Sequence, residues 1–174
     1  MGPTTFNAMP IHPLLVHFVV VLVPLSALLL VLSVCWPAAR HRLGVVTPVV
    51  ALMSLVLVPL TTHAGEWLEH QTPRSPLVRI HAELGDQLVY WSIGVFLASL
   101  AWWALHQHKV HEWWIARTGT GPARAPVSRV LAIGLALVGV ALAVGSVVQV
   151  YRIGDSGAAA VWADTTVTPA AQSR

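Results

Sequence analysis

Three observations predict an all-α integral membrane protein, a bundle of four transmembrane helices with both ends of the chain outside the cytoplasm. Four apolar stretches are each long enough to cross a bilayer, for which about 20 residues suffice. Charged side chains are confined to the ends of those stretches and the segments between them. Arginine and lysine gather in alternate connections, which orients the helices.

Composition sets the frame. Of 174 residues, 56% are apolar and 10% charged, whereas about a quarter of a soluble domain is charged. The length accommodates one domain, divided into an outer N-terminal tail over 1–12, a four-helix transmembrane domain over 13–157 and an outer C-terminal tail over 158–174. From Asp164 onward that tail is polar, contains Pro169 and is expected to be disordered. The net charge of +3, scattered along the chain, leaves no footprint for nucleic acid. Cys35 is the single cysteine, so neither an intramolecular disulfide nor a thiol metal site can form; it reads as a small buried hydrophobe. No Lys or Arg precedes Arg40, and the first apolar run is longer than a signal-peptide core, so the first helix is expected to be retained.

The first span, 13–36, contains Pro24, and the second, 44–64, contains Pro48 and Pro59. Proline is tolerated in lipid where neighbouring groups satisfy the freed carbonyls, and it marks expected kinks. Arg40 and Arg42 lie between these spans, Arg74 and Arg79 between the second and the third, 84–105. Lys109, Arg117, Arg124 and Arg129 lie before the fourth, 130–150. The first and third connections are therefore assigned to the cytoplasm. Glu66, Glu69, Glu83, Asp86, Asp155 and Asp164 fall outside and Glu112 inside.

The third connection opens with Trp102, Trp103, His106, His108, His111, Trp113 and Trp114 and reads as an interfacial segment whose histidines are solvated. Gly119, Gly121, Pro122 and Pro126 lead into the last helix. There Ala132 and Ala136, Gly139 and Ala143, and Ala141 and Gly145 stand four apart, a spacing that lets helices approach closely within the bundle or across a homodimer.

The remaining histidines gather on the outer side: His12 and His17 at the start of the first span, His63 at the end of the second, His70 beyond it and His81 before the third. His17 sits about 6 Å inside the span, a depth at which an ionisable group is expected to face the bundle interior and have a partner. Glu66, Glu83, Asp86 and Asp155 are available carboxylates. Imidazoles from facing helices suit iron, copper or zinc. In a haem b site two of them would approach the iron from opposite faces, His17 with His63 or His81 being the favoured pair. In a mononuclear metal site His12, His63 and His81 would converge, with Glu66 or Asp86 as a further ligand or acceptor.

The run Ile11-His12-Pro13-Leu14-Leu15-Val16-His17-Phe18 resembles the signature of a family of bacterial membrane proteins known as domain of unknown function 2231. His63-Ala64-Gly65, the His81 segment and Arg152-Ile153-Gly154-Asp155-Ser156-Gly157 extend the resemblance over nearly the whole chain. Val19 stands where the family usually has proline, and Asp155 where relatives carry histidine. The resemblance implies four membrane helices, a bacterial inner-membrane location and, by analogy with cytochrome-like or rubredoxin-like companions, a redox partner protein.

Two functional classes follow: a haem- or metal-binding redox module, and a structural or accessory subunit whose histidines fix helix packing. A proton-coupled transporter would need charge near mid-membrane and a broken-helix repeat, which are absent. Covalent catalysis is not supported, because Ser26, Ser33, Ser54, Ser92, Ser99 and Ser146 lie in apolar helices without an adjacent base and are expected to bond their own backbone. The expected surroundings are a lipid bilayer, not nucleic acid.

Overall fold

The computed structural model describes residues 5–6, 9–72, 75–106, 117 and 129–162. A short antiparallel pair, β1 (Thr5–Phe6) and β2 (Met9–Pro10), leads into α1 (Ile11–Cys35). Three further long helices follow: α3 (Val46–Glu69), α4 (Pro76–His106) and α5 (Arg129–Trp162). A two-turn helix, α2 (Pro37–Leu43), sits between α1 and α3. All four long helices are long and apolar enough to span a membrane.

Local chemistry explains the turn around α2. Pro37 has no N–H to offer the Ser33 carbonyl, so the ladder of α1 stops with the Trp36 N–H bonded to the Leu32 carbonyl. Proline at the first position then starts α2. That helix ends at Gly44, whose φ of +46° lies where a Cβ is unfavourable. Pro48 falls in the first turn of α3, so only Pro24 and Pro59 interrupt helix interiors.

The long helices form a ring in which α1 packs on α3, α3 on α4, α4 on α5 and α5 on α1. Two buried clusters fill it. Val19, Val23, Val58 and Leu88 lie toward the end where α1 and α4 begin, the histidine end. Ala27, Leu30, Ala51, Val95, Ala98 and Ala143 lie toward α2. All six serines singled out above are buried. Ser26, Ser92 and Ser146 donate to carbonyls of their own helix; Ser54 lies within reach of both the Val50 carbonyl of α3 and the Leu22 carbonyl of α1. Ser33 instead pairs with the Thr47 hydroxyl, and Ser99 Oγ has no partner among the described residues. Phe18, Val21, Leu28, Leu60, Leu97, Leu137 and Val144 point outward, a surface so apolar that it calls for lipid rather than water.

The bundle repeats itself. Counted from His12 in α1 and from His81 in α4, five of the six buried positions in each helix coincide, Val19 with Leu88, Val23 with Ser92, Ser26 with Val95, Leu30 with Ser99 and Ser33 with Trp102, while Ala27 and Ala98 have no buried counterpart. Counted from Thr61 in α3 and Ile153 in α5, Thr47 matches Gly139, Ala51 matches Ala143 and Ser54 matches Ser146, again all buried. The α1–α3 and α4–α5 hairpins thus share most of one burial pattern, with α1 and α4 on one diagonal of the ring.

Three expectations need correction. Trp102 is a core residue, not an interfacial one: it is buried and donates its Nε1–H to the Ser33 carbonyl at 3.0 Å, because that carbonyl lacks a helical partner. Cys35 is exposed at the last position of α1. The helices also outrun the hydrophobic spans at the histidine end, α4 starting at Pro76 and α5 running to Trp162, since hydropathy marks the hydrocarbon layer whereas helix hydrogen bonding continues beyond it. Of the third connection, His108, His111, Trp113, Trp114 and the glycines and prolines after them lie outside the described residues, as does the tail from 163 onward.

Candidate functional site: two facing histidines

His12 occupies the first turn of α1 and His81 the second turn of α4. These helices are diagonal in the ring, so both imidazoles enter the histidine end from opposite sides. Their ring centroids are 6.4 Å apart and their planes stand at 88° to one another. Both residues are half-buried.

Each ring is fixed in the same way by the second helix of its own hairpin. His12 Nδ1 lies 2.9 Å from the Thr61 carbonyl of α3 and His81 Nδ1 lies 3.0 Å from the Ile153 carbonyl of α5. A carbonyl can only accept, so Nδ1 carries a proton in both rings, which in the neutral tautomer leaves the lone pair on Nε2. One helical turn beyond each carbonyl stands a glycine against the ring. A Cβ at Gly65 would come within 2.9 Å of His12 Cε1, and one at Gly157 within 3.0 Å of His81 Cε1. Ser156 is the one departure from symmetry: its Oγ lies 3.2 Å from His81 Nδ1 and donates to Ile153 O, whereas Ala64 holds the matching place beside His12.

The other residues considered from the sequence are placed elsewhere. His17 is exposed, and its Nδ1 contacts the Pro13 carbonyl of its own helix at 2.6 Å. The expectation that it faces the bundle interior is overturned by helix geometry: five residues turn it about 140° away from His12. His63 is two residues beyond the buried Thr61, hence on the opposite side of α3, with its side chain 79% exposed and 3.6 Å from Glu66. His70 and Asp86 are exposed as well. Among the described residues, no group of three or more His, Cys, Asp or Glu converges as a metal site. The structure therefore brings together His12 and His81 and leaves His17, His63, Glu66 and Asp86 outside the pair.

Sequence reasoning missed the groups that hold the rings, namely Thr61, Gly65, Ile153, Ser156 and Gly157. A signal was present: Ile-His followed three residues later by Leu occurs at Ile11-His12-Leu15 and again at Ile80-His81-Leu84, the trace of the repeated hairpin.

The arrangement sets two imidazoles from diagonal helices side by side, each anchored through Nδ1 to the partner helix of its own hairpin. No curated protein and no solved structure matches the chain. A family model described as "Predicted membrane protein (DUF2231)" matches residues 8–169, so this chain, with its four apolar helices, belongs to the DUF2231 family of predicted membrane proteins.

Proposed function

We propose that the protein is a membrane-embedded redox module in which His12 and His81 are the two axial ligands of a haem b. The observation that supports this is the spacing of the pair. A metal bound in line by two imidazole nitrogens at about 2.0–2.1 Å holds the ring centroids about 6.4 Å apart, the separation found here. Two nitrogens complete the protein's contribution to a haem iron, whereas a tetrahedral zinc site needs three or four protein ligands. The carbonyl bonds of Thr61 and Ile153 are what a ligating histidine needs on its other nitrogen, because they fix the tautomer and the ring plane. Gly65 and Gly157 keep the flanking helices free of side chains beside the pair.

A haem with both axial positions filled supplies one-electron exchange without binding a substrate. The protein's part is to hold the two rings, exclude water with the Val19, Val23, Val58 and Leu88 cluster below them, and set the potential through burial and the Nδ1 bonds. The distribution of Arg and Lys supports a location in the bacterial inner membrane with the pair near its outer face, within reach of a redox partner protein outside.

The test is an absorption spectrum of the protein purified in mild detergent from haem-replete cells. A Soret band is expected that is lost in His12→Ala and in His81→Ala and kept in His17→Ala and His63→Ala. Protein without pigment or metal, or pigment indifferent to both substitutions, would overturn the proposal. The competing reading, an accessory subunit without cofactor, draws on the same two carbonyl bonds, since each ties the helices of one hairpin together; it expects His12→Ala and His81→Ala to lower thermal stability and change no spectrum.

A further inference from the structure

At the opposite end of the bundle a partly open cavity of about 10 Å³ is lined by Ser33, Arg40, Thr47, Ser99, Trp102 and His106, with Gly44 at the turn. Its polar groups are mostly donors. Ser99 Oγ is buried, with the residue 1% exposed, and has no hydrogen-bond partner among the described residues. Serine in a helix ordinarily bonds the carbonyl one turn back, so a hydroxyl left free beside a cavity is one that has something else to bond.

Arg40 supplies the charge. Its Nε–H donates to the Ser33 carbonyl at 3.0 Å, beside the Trp102 Nε1–H on the same oxygen, and its guanidinium carbon lies 5.1 Å from the centroid of the Trp102 ring. These contacts hold the guanidinium half-buried at the cavity, and no carboxylate faces it among the described residues. Such a cation calls for a counter-charge, and the volume admits a single oxygen-sized group. The site stands where α1 ends and α3 begins, on the side where α2 carries His41 and Arg42 to the surface. That is headgroup level for a helix spanning the bilayer.

We propose that this pocket binds a phosphate group, one oxygen entering the cavity toward Ser99 Oγ while the guanidinium of Arg40 pairs with the charge outside. A phospholipid headgroup and free inorganic phosphate share this chemistry, and the experiment separates them. Purified protein is titrated with phosphatidylglycerol, and in parallel with a diacylglycerol of the same chains, and retention is read by native mass spectrometry; a second arm measures the shift in melting temperature with inorganic phosphate. Phosphatidylglycerol is expected to be retained over the diacylglycerol, its affinity falling about tenfold in Arg40→Gln and about threefold in Ser99→Ala, in line with a charged and a neutral hydrogen bond. A phosphate-dependent rise in melting temperature that fails in the same variants, without lipid retention, assigns the pocket to free phosphate. Arg40→Gln also removes the bond to Ser33, so Ser99→Ala decides: it deletes a hydroxyl with no partner among the described residues and leaves the unliganded fold intact. Equal affinity for the two lipids and no phosphate effect, or binding unchanged in Ser99→Ala, would leave only a trapped water and overturn the proposal.

Discussion

An alanine at Gly65 would place its methyl carbon 2.9 Å from Cε1 of a ring that is itself tethered to the Thr61 carbonyl. The ring has to move, and with it the 6.4 Å separation from His81. On the haem reading proposed above, Gly65→Ala is therefore expected to diminish or abolish the absorption band while costing little stability, alanine being the better helix former by about 1 kcal/mol. Gly157→Ala, with a closest approach of 3.0 Å, acts on His81 in the same direction and to a similar extent. Spectra of the two variants at matched protein concentration check both. Trp102→Phe keeps most of the ring and loses the N–H to Ser33; with Arg40 still bonded to that carbonyl, a loss of about 1 kcal/mol is expected, read from melting in detergent. Residue chemistry in the sequence had indicated that histidines cluster. Which of them meet was decided by angles about the helix axes, and these set His17 and His63 on outward faces.

Within the elements, glycines of α4 and α5 each admit a large side chain from the other helix. A Cβ at Gly145 would overlap the Trp91 ring, and one at Gly94 would lie 2.8 Å from Leu142 Cδ2. The small-residue pairs read from the sequence thus include a true point of close packing, though against α4 of the same chain. Gly145→Ala is expected to destabilise by about 1–3 kcal/mol through overpacking, whereas Gly134→Ala, with open space around it, is expected to be neutral or stabilising. Parallel melting curves distinguish the two. The first two spans were legible to within a turn or two, because twenty apolar residues in succession have few other uses. The ends of the other two were not, since α4 and α5 continue past the apolar stretch and place His81 against Ile153 and Ser156, contacts without a trace in hydropathy.

For the molecule as a whole, the repeat implies that each hairpin is a folding unit whose exposed inner face is covered by the other hairpin. Co-expressed fragments cut between Thr72 and Ser75 are expected to associate in the membrane and recover the spectrum of the intact protein, while either fragment alone remains colourless; co-purification with a tag on one half checks it. Orientation has its own test. Cys35 is exposed at the α2 end, so an impermeant thiol reagent is expected to spare it in intact cells and label a cysteine introduced at Gln71 in a Cys35→Ser background.

From the residues alone came the membrane, the count of four helices, the alternate basic connections and the end at which histidines accumulate, because each depends on local composition along the chain. The meeting of His12 with His81, the outward turn of His17 and His63, the burial of Trp102 and the pairing of Arg40 with the broken end of α1 were decided by tertiary structure. The physical reason is rotation: a helix repeats about every 3.6 residues, so one residue of register turns a side chain about 100°, and only the packing of four helices around a common axis determines which faces look at one another.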